Sequence, residues 1–508
     1  MIPAVMLAAA GPEDWVPVRW PGGPLEVLRR SQTSTAPVDA AVGQVLPNWY
    51  HPRTLTLLEN TPVNCLLVTW STGAERSVES EQWKLVAAYA RAAHQKGIAV
   101  VGLLYPGADP DLAAASAVDA GLDGLALEGE FRGNPTIVTE LRRALCARKS
   151  SAVVIPLGSQ EWLRPDSAWP ILGTGEGVAP GIRVLSESDA AAATPTSEPW
   201  IDSNIWLIRS LRAWGGERPV WLGYELANPA EADYARAIAD SAVAGGRWVV
   251  SLGDELRAGL WHEGAEALAI WSRIAVGLSF FEQHREWRGF APVGPLGIIQ
   301  DLTGPHRVIS GENLNLITRR RIPYRLIDRA RLARAALEGL HAVVATDLAP
   351  PTGVERELLD AFVENGGLLV AGPSWKGAAP GSTGYILRQL GRGTILAYTQ
   401  NPTDPEALSK DLPDLLGKEN LLVRLFNVPS VLAQVSAGPR GAPLLLQLVN
   451  YASGPAESIT VRVAGAYRSA RLFRPEAPPL DLKIDKSGAK IELTIDSVAV
   501  CAALLLEE

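Results

Sequence analysis

The chain predicts an α/β protein: a (β/α)8 TIM barrel, then a small α/β domain, then a C-terminal antiparallel β-sandwich. Three observations lead there. At roughly 150 residues per domain, 508 residues make about three domains. Over residues 41–290, apolar strand-like runs alternate with helical patterns, which means parallel strands covered by helices. Beyond about residue 420 helical periodicity stops, and short strands are separated by turn residues instead.

The barrel strands follow in order. VLPNWY (45–50) is the expected first strand and VNCLLVTWS (63–71) the second. The helix EQWKLVAAYARAAHQKG (81–97) comes next, with Gly97 as its stop signal. IAVVGLLY (98–105) is the third strand, LDGLALEGE (122–130) the fourth and SAVVIPLGS (151–159) the fifth. GIRVL (181–185), RPVWLGYEL (218–226) and RWVVSLGDEL (247–256) complete the set, and WIDSNIWLIRSLRAWG (200–215) reads as a helix. Eight such units in about 250 residues suit a (β/α)8 barrel. The first and sixth strands are short, so a doubly wound open sheet is the alternative.

The Pro/Gly-rich GFAPVGPLG (289–297) opens the second region, 291–420. LGIIQD, PYRLID, LHAVVATDL (340–348), LLVAGPS (368–374) and GRGTILAYT (391–399) read as strands, and VERELLDAFVENGG (354–367) as a helix joining two of them. Region 421–508 holds LLLQLVNYAS, SITVRVAGAY, SARLFRPE, LKIDKSG, AKIELTID and VAVCAALLLE, the strands of the sandwich. Residues 1–40 are left as an N-terminal segment. Its first ten, MIPAVMLAAA, resemble the apolar end of a secretory signal. The expected location is periplasmic or extracellular; a frayed terminus on a cytoplasmic protein is the alternative.

Composition excludes several functions. Hydrophobic residues at 47% and charged residues at 20% describe an ordinary globular chain. No apolar run reaches about 18 residues, so no membrane span is expected. A net charge of −8 argues against nucleic-acid binding through a basic face. Cys65, Cys146 and Cys501 form no CxxC pair, and the six His show no ligand spacing, so neither a metal site nor a cofactor is expected. The GxSxG elbow, the GxxxxGK phosphate loop, the HExxH helix and a nicotinamide fingerprint are absent. What remains is carboxylates and Trp. The chain has 16 Trp against 7 Phe and 10 Tyr, and all Trp except Trp375 precede residue 290.

In a barrel the chemistry lies at the C-terminal ends of the strands. Side chains alternate along a strand, so Gly124, Ala126 and Glu128 share the inner face of the fourth, with Glu130 one step higher. Trp221, Gly223 and Glu225 share the inner face of the seventh. Two carboxylates across a pocket are what glycoside hydrolysis uses, one as acid and one as nucleophile or base. The catalytic candidates are therefore Glu128, Glu130 and Glu225. Asp254, after the eighth strand, is a candidate ligand for substrate hydroxyls or a structural residue.

Sugars stack their C–H faces on indole. Trp49, Tyr50, Trp70, Tyr105, Trp162 and Trp221 lie near strand ends and are the candidate substrate-binding aromatics. Trp83, Trp206, Trp214 and Trp271 fall on amphipathic helices and read as core.

LHAVVATDLAPPTGVERELLDAFVENGGLLVAGPSW (340–375) and LLLQLVNYASGPAESITVRVAGAY (444–467), in that three-part order, resemble β-galactosidase-type glycoside hydrolases of clan A, family 42. The resemblance implies a barrel, an amidotransferase-like α/β domain that mediates homo-oligomerisation, and a small β-domain. It also implies a Glu acid/base ending strand four and a Glu nucleophile ending strand seven, which fall on Glu128 or Glu130 and on Glu225. The residue before the acid is usually Asn in that family; here Leu127 and Gly129 stand there. No Cys lies between 147 and 500 to run amidotransferase chemistry. The expected function is a retaining glycoside hydrolase acting on an oligo- or polysaccharide. A non-catalytic carbohydrate-binding barrel and an oligomeric scaffold are the alternatives.

Overall fold

The computed structural model describes residues 11–33, 40–131, 136–158, 169–183, 185–187, 190–192, 200–301, 307–345, 350–373, 384–399, 405–417 and 419–508. The ten residues read as a signal remnant lie outside these. The chain divides into two compact units, one of residues 1–179, 217–242 and 246–284, the other of 180–216, 243–245 and 285–508.

The first unit is a closed parallel barrel. Its strands are β1 (Pro17–Arg19), β2 (Cys65–Ser71), β3 (Ala99–Leu104), β4 (Gly124–Glu128), β5 (Val153–Leu157), β6 (Leu172–Thr174) and β7 (Val220–Leu222). The eighth, β8, is broken into Arg247–Trp248 and Val250–Ser251. That break closes the ring. Trp248 pairs with Leu222 of β7, whereas Val250 pairs with Val18 of β1. At the opposite seam Gly175 N–H donates to Gly158 O at 2.9 Å, and a Cβ on Gly173 would collide with Pro156 O, so only glycine lets β6 approach β5.

Alternation along the strands fills the lumen. Cys65, Leu67, Val101, Leu103, Ala126, Ile155, Leu157 and Trp221 form one buried cluster with Trp15. Leu125 and Leu127, on the other face of β4, are buried as expected on the helix side.

Two strands differ from expectation. VLPNWY is not the first strand: Ala40–Val45 is helical and Leu46–Asn48 is a 3-10 turn. The barrel begins earlier, at Pro17–Arg19, inside the segment read as lying before it. Likewise β6 is Leu172–Thr174, while Gly181–Arg183 pairs antiparallel with Trp200–Asp202 in the second unit. The helix Ile205–Gly215 follows there.

The second unit holds two further layers of sheet. Tyr324–Asp328, Leu296–Gln300, Ala342–Ala345, Leu368–Ala371 and Gly393–Tyr398 run parallel in that spatial order, and Tyr385–Leu390 adds an antiparallel edge. The helix Gly353–Glu364 links two of these strands and starts in a capping box between Thr352 and Glu355. The C-terminal strands form a six-stranded and a four-stranded antiparallel sheet. Leu446, Leu448, Ile459, Val461, Leu493 and Leu504 meet in the core they share.

Cys65 and Cys501 are buried free thiols, and Cys146 is an exposed one. Among the described residues no single helix is long and apolar enough to cross a membrane.

Candidate active site

The strand ends of the first unit bring three charged side chains to one nitrogen. Arg19 ends β1 on the lumen side and is buried. Its Nη1 donates to Glu128 Oε1 at 2.7 Å and to Glu225 Oε1 at 3.0 Å. The two carboxylate oxygens are therefore no farther apart than the sum of those bonds, about 5.7 Å. Nη2 donates to Gly223 O, which holds the guanidinium in the plane of the mouth.

The two carboxylates differ in environment. The Glu128 side chain is 17% exposed and that of Glu225 is 61% exposed. Burial pushes the Glu128 carboxyl above its usual range. Arg19 opposes that push, and the charge of Glu225 adds to it. Glu128 Oε2 makes no hydrogen bond. Burial would lower Arg19, but the two carboxylates more than offset this and keep it firmly charged. Glu130, one step past the left-handed Gly129, is exposed, and the bonds to Arg19 are made by Glu128 and Glu225.

A second ring of charge surrounds this core. Glu26, wholly buried at the start of the helix Gly23–Thr33, accepts from Arg29 Nε and Nη2, Arg30 Nε and Thr69 Oγ1, all at 2.7–2.9 Å. Arg30 reaches on to both oxygens of Asp254, at 2.7 and 2.8 Å. Arg29 lies 4.5 Å over the Tyr105 ring. Burial, then the charges of Glu128 and Glu26, push the Tyr105 hydroxyl well up, so it stays a neutral phenol. A cavity of about 830 Å³ opens beside Glu225, lined by Arg29, Arg30, Tyr234, Asp254 and Arg257 among others. Among the described residues no cluster of His, Cys, Asp or Glu could hold a metal ion.

The aromatic candidates mostly fall elsewhere. Trp49, Trp70 and Trp221 have no exposed surface. Trp49 packs on Trp20 and Trp261, and Trp221 on Trp15. Trp70 Nε1 donates to Ala113 O. Tyr50 is buried too, its hydroxyl accepting Gly22 N–H and Thr69 N–H. These four are core, because large rings are the most effective filler of lumen and helix–sheet space. Tyr105 alone of the described set touches the charged network; Trp162 lies outside the described residues. The residues missed, Arg19, Glu26, Arg29 and Arg30, all sit in RWPGGPLEVLRR (19–30).

No protein-family profile matches the chain, and no curated protein does. Solved structures do. α-L-Fucosidase isoenzyme 2 from Paenibacillus thiaminolyticus is 11% identical, with a TM-score of 0.55 covering 97% of this chain and 99% of that one. A catalytic mutant of a GH42 β-galactosidase from G. stearothermophilus is 9% identical, with a TM-score of 0.56 over 93% and 97%. At such identities the likeness is one of architecture: over more than nine-tenths of its length, this chain has the fold of a GH42 β-galactosidase.

Proposed function

We propose that the chain is a retaining glycoside hydrolase, with Glu225 as nucleophile and Glu128 as acid/base. The observation that carries this is the single Arg19 nitrogen bonded to both carboxylates. It keeps their nearer oxygens within about 5.7 Å, and retaining chemistry uses carboxyls about 5–5.5 Å apart, whereas inversion needs about 6.5–9.5 Å. The fold shared with glycoside hydrolases supports the same reading.

The roles follow from environment. Glu225 is open to the cavity and can reach an anomeric carbon. Glu128 is the group whose proton is held, and its Oε2, free of protein partners, carries that proton. In the first step Glu225 forms an ester bond to the anomeric carbon as the glycosidic bond breaks, and Glu128 protonates the departing oxygen. In the second step Glu128 takes a proton from water, the water oxygen bonds to the anomeric carbon, and the ester to Glu225 breaks. Arg19 fixes the spacing of the two groups throughout.

The test is turnover of an aryl-glycoside panel by wild type and Glu225→Gln, with the first-formed anomer read by NMR. Retained configuration, lost in Glu225→Gln, is expected. Inverted product or full activity in Glu225→Gln refutes the assignment, and calorimetric sugar binding without turnover points to a carbohydrate-binding barrel instead.

A further inference from the structure

Arg257 is the one charge in the cavity wall that the proposed chemistry leaves without a use. It lies in the helix Asp254–Trp261 that follows β8, is 2% exposed, and lines the cavity beside Glu225. Its guanidinium bonds only to backbone carbonyls, Nη1 to Pro21 O at 3.2 Å and Nη2 to Leu252 O at 3.4 Å. Nε makes no hydrogen bond. One face rests 5.6 Å from the Trp49 ring.

The neighbouring charges are already matched. Arg29 and Arg30 share Glu26, and Arg30 also holds Asp254. Glu225 is held by Arg19. Among the described residues no carboxylate forms an ion pair with Arg257. Glu255 and Glu266, also in the wall, are exposed and screened by water. Burial, and next the charge of Arg30, weaken the hold of Arg257 on its proton, as expected of a cation without a counterion. A buried, unpaired charge is unfavourable unless something compensates it. Each Nη has a second N–H to give, and a planar fork of donors fits a carboxylate or sulfate.

We infer that Arg257 is the anion-recognition element of the cavity, receiving a carboxylate or sulfate ester carried by the sugar bound against Glu225. The neutral backbone contacts hold the guanidinium in place, and the anion arrives with the substrate. The inference rests on reading the cavity as a saccharide site. It deepens that reading by naming an acidic sugar, a uronate or a sulfated sugar, as the substrate class.

Calorimetry on the full chain tests it, with D-galacturonate, D-glucuronate and D-galactose 6-sulfate set against D-galactose and D-glucose. At least one charged sugar should bind about tenfold more tightly than its neutral parent. In Arg257→Met that ratio should fall to within about twofold. Should Arg257→Met fail to fold, Arg257→Lys carries the test: a ratio reduced about threefold or more supports the role, because the fork is lost, and an unchanged ratio overturns it. Equal binding of charged and neutral sugars, no binding of any charged sugar, or a preference that survives Arg257→Met also overturns it. Charge-selective binding without turnover of any aryl glycoside would sink the hydrolase reading alone. Turnover of neutral glycosides with no charge preference would sink this inference alone.

Discussion

Glu128 and Glu225, 97 residues apart in the chain, accept hydrogen bonds from the same nitrogen, Nη1 of Arg19, at 2.7 and 3.0 Å. One carboxyl is mostly buried and the other mostly open. Their spacing and their difference in exposure set the first expectations.

Removing the acid should matter according to the leaving group. Glu128→Ala is expected to lower kcat by roughly 10²–10⁴-fold on glycosides of poor leaving groups. Dinitrophenyl glycosides, whose phenolate departs unprotonated, should lose far less in the glycosylation step. Equal losses on both substrates, measured by pre-steady-state kinetics, would assign the acid elsewhere.

The alkaline limb of the activity profile should belong to Glu128. Burial holds its proton above the usual carboxylate range, so kcat/KM falls as pH rises through that raised value. In Glu128→Ala the limb should flatten; a limb that stays in place would name another group.

The same raised carboxyl acts on stability. A raised acid pKa in the fold means ionisation of Glu128 opposes folding as pH climbs from the ordinary carboxylate value through the folded one. Glu128→Gln removes that penalty and should be more stable than wild type at pH 7 by about 0.5–2 kcal/mol. The difference should close as pH falls below about 4. Urea titrations at two pH values decide it.

Glu26 should behave in the opposite sense. Burial alone would raise its carboxyl, but the hydrogen bonds and charges of Arg29 and Arg30 bring it below the usual range. Its contribution is present above the unfolded pKa and disappears as pH falls through the lower folded value. Glu26→Gln, which leaves two arginines short of a counterion, should cost about 3–5 kcal/mol near neutrality. The gap from wild type should narrow in acid, as read by thermal melts across pH.

Trp70 should prove structural. Trp70→Ala removes a fully buried ring and the indole bond to Ala113 O, with an expected loss of about 3–5 kcal/mol. Saccharide affinity of the folded fraction should be unchanged, because the ring does not face the cavity.

The catalytic pair was readable because alternation is a strong rule. Gly124, Ala126 and Glu128, then Trp221, Gly223 and Glu225, point inward whatever the loops do. β1 was not readable: three residues between Pro17 and Pro21 carry no periodicity, and the apolar start of the chain invited them to be set aside with a leader. Arg19, Glu26, Arg29 and Arg30 were lost with it. β6 was hidden for a similar reason, being only Leu172–Thr174. The tryptophans misled because an indole looks amphipathic in a sequence. Here the N–H groups of Trp70, Trp83, Trp248 and Trp271 are satisfied by backbone carbonyls within the core. The C-terminal sheets were legible strand by strand, since two-residue alternation and turn residues recur there without interruption.

The break in β8 bears on how the protein is made. Val18 pairs with Val250, so the first strand to leave the ribosome finds its last neighbour only about 230 residues later. Contacts so distant along a chain form slowly and late. β1 must meanwhile wait with one side unpaired, held by β2 alone. Pulsed hydrogen exchange during refolding should find the β1–β8 amides among the last of the barrel to gain protection, and since Arg19 ends that strand, catalytic competence should arrive in the same step.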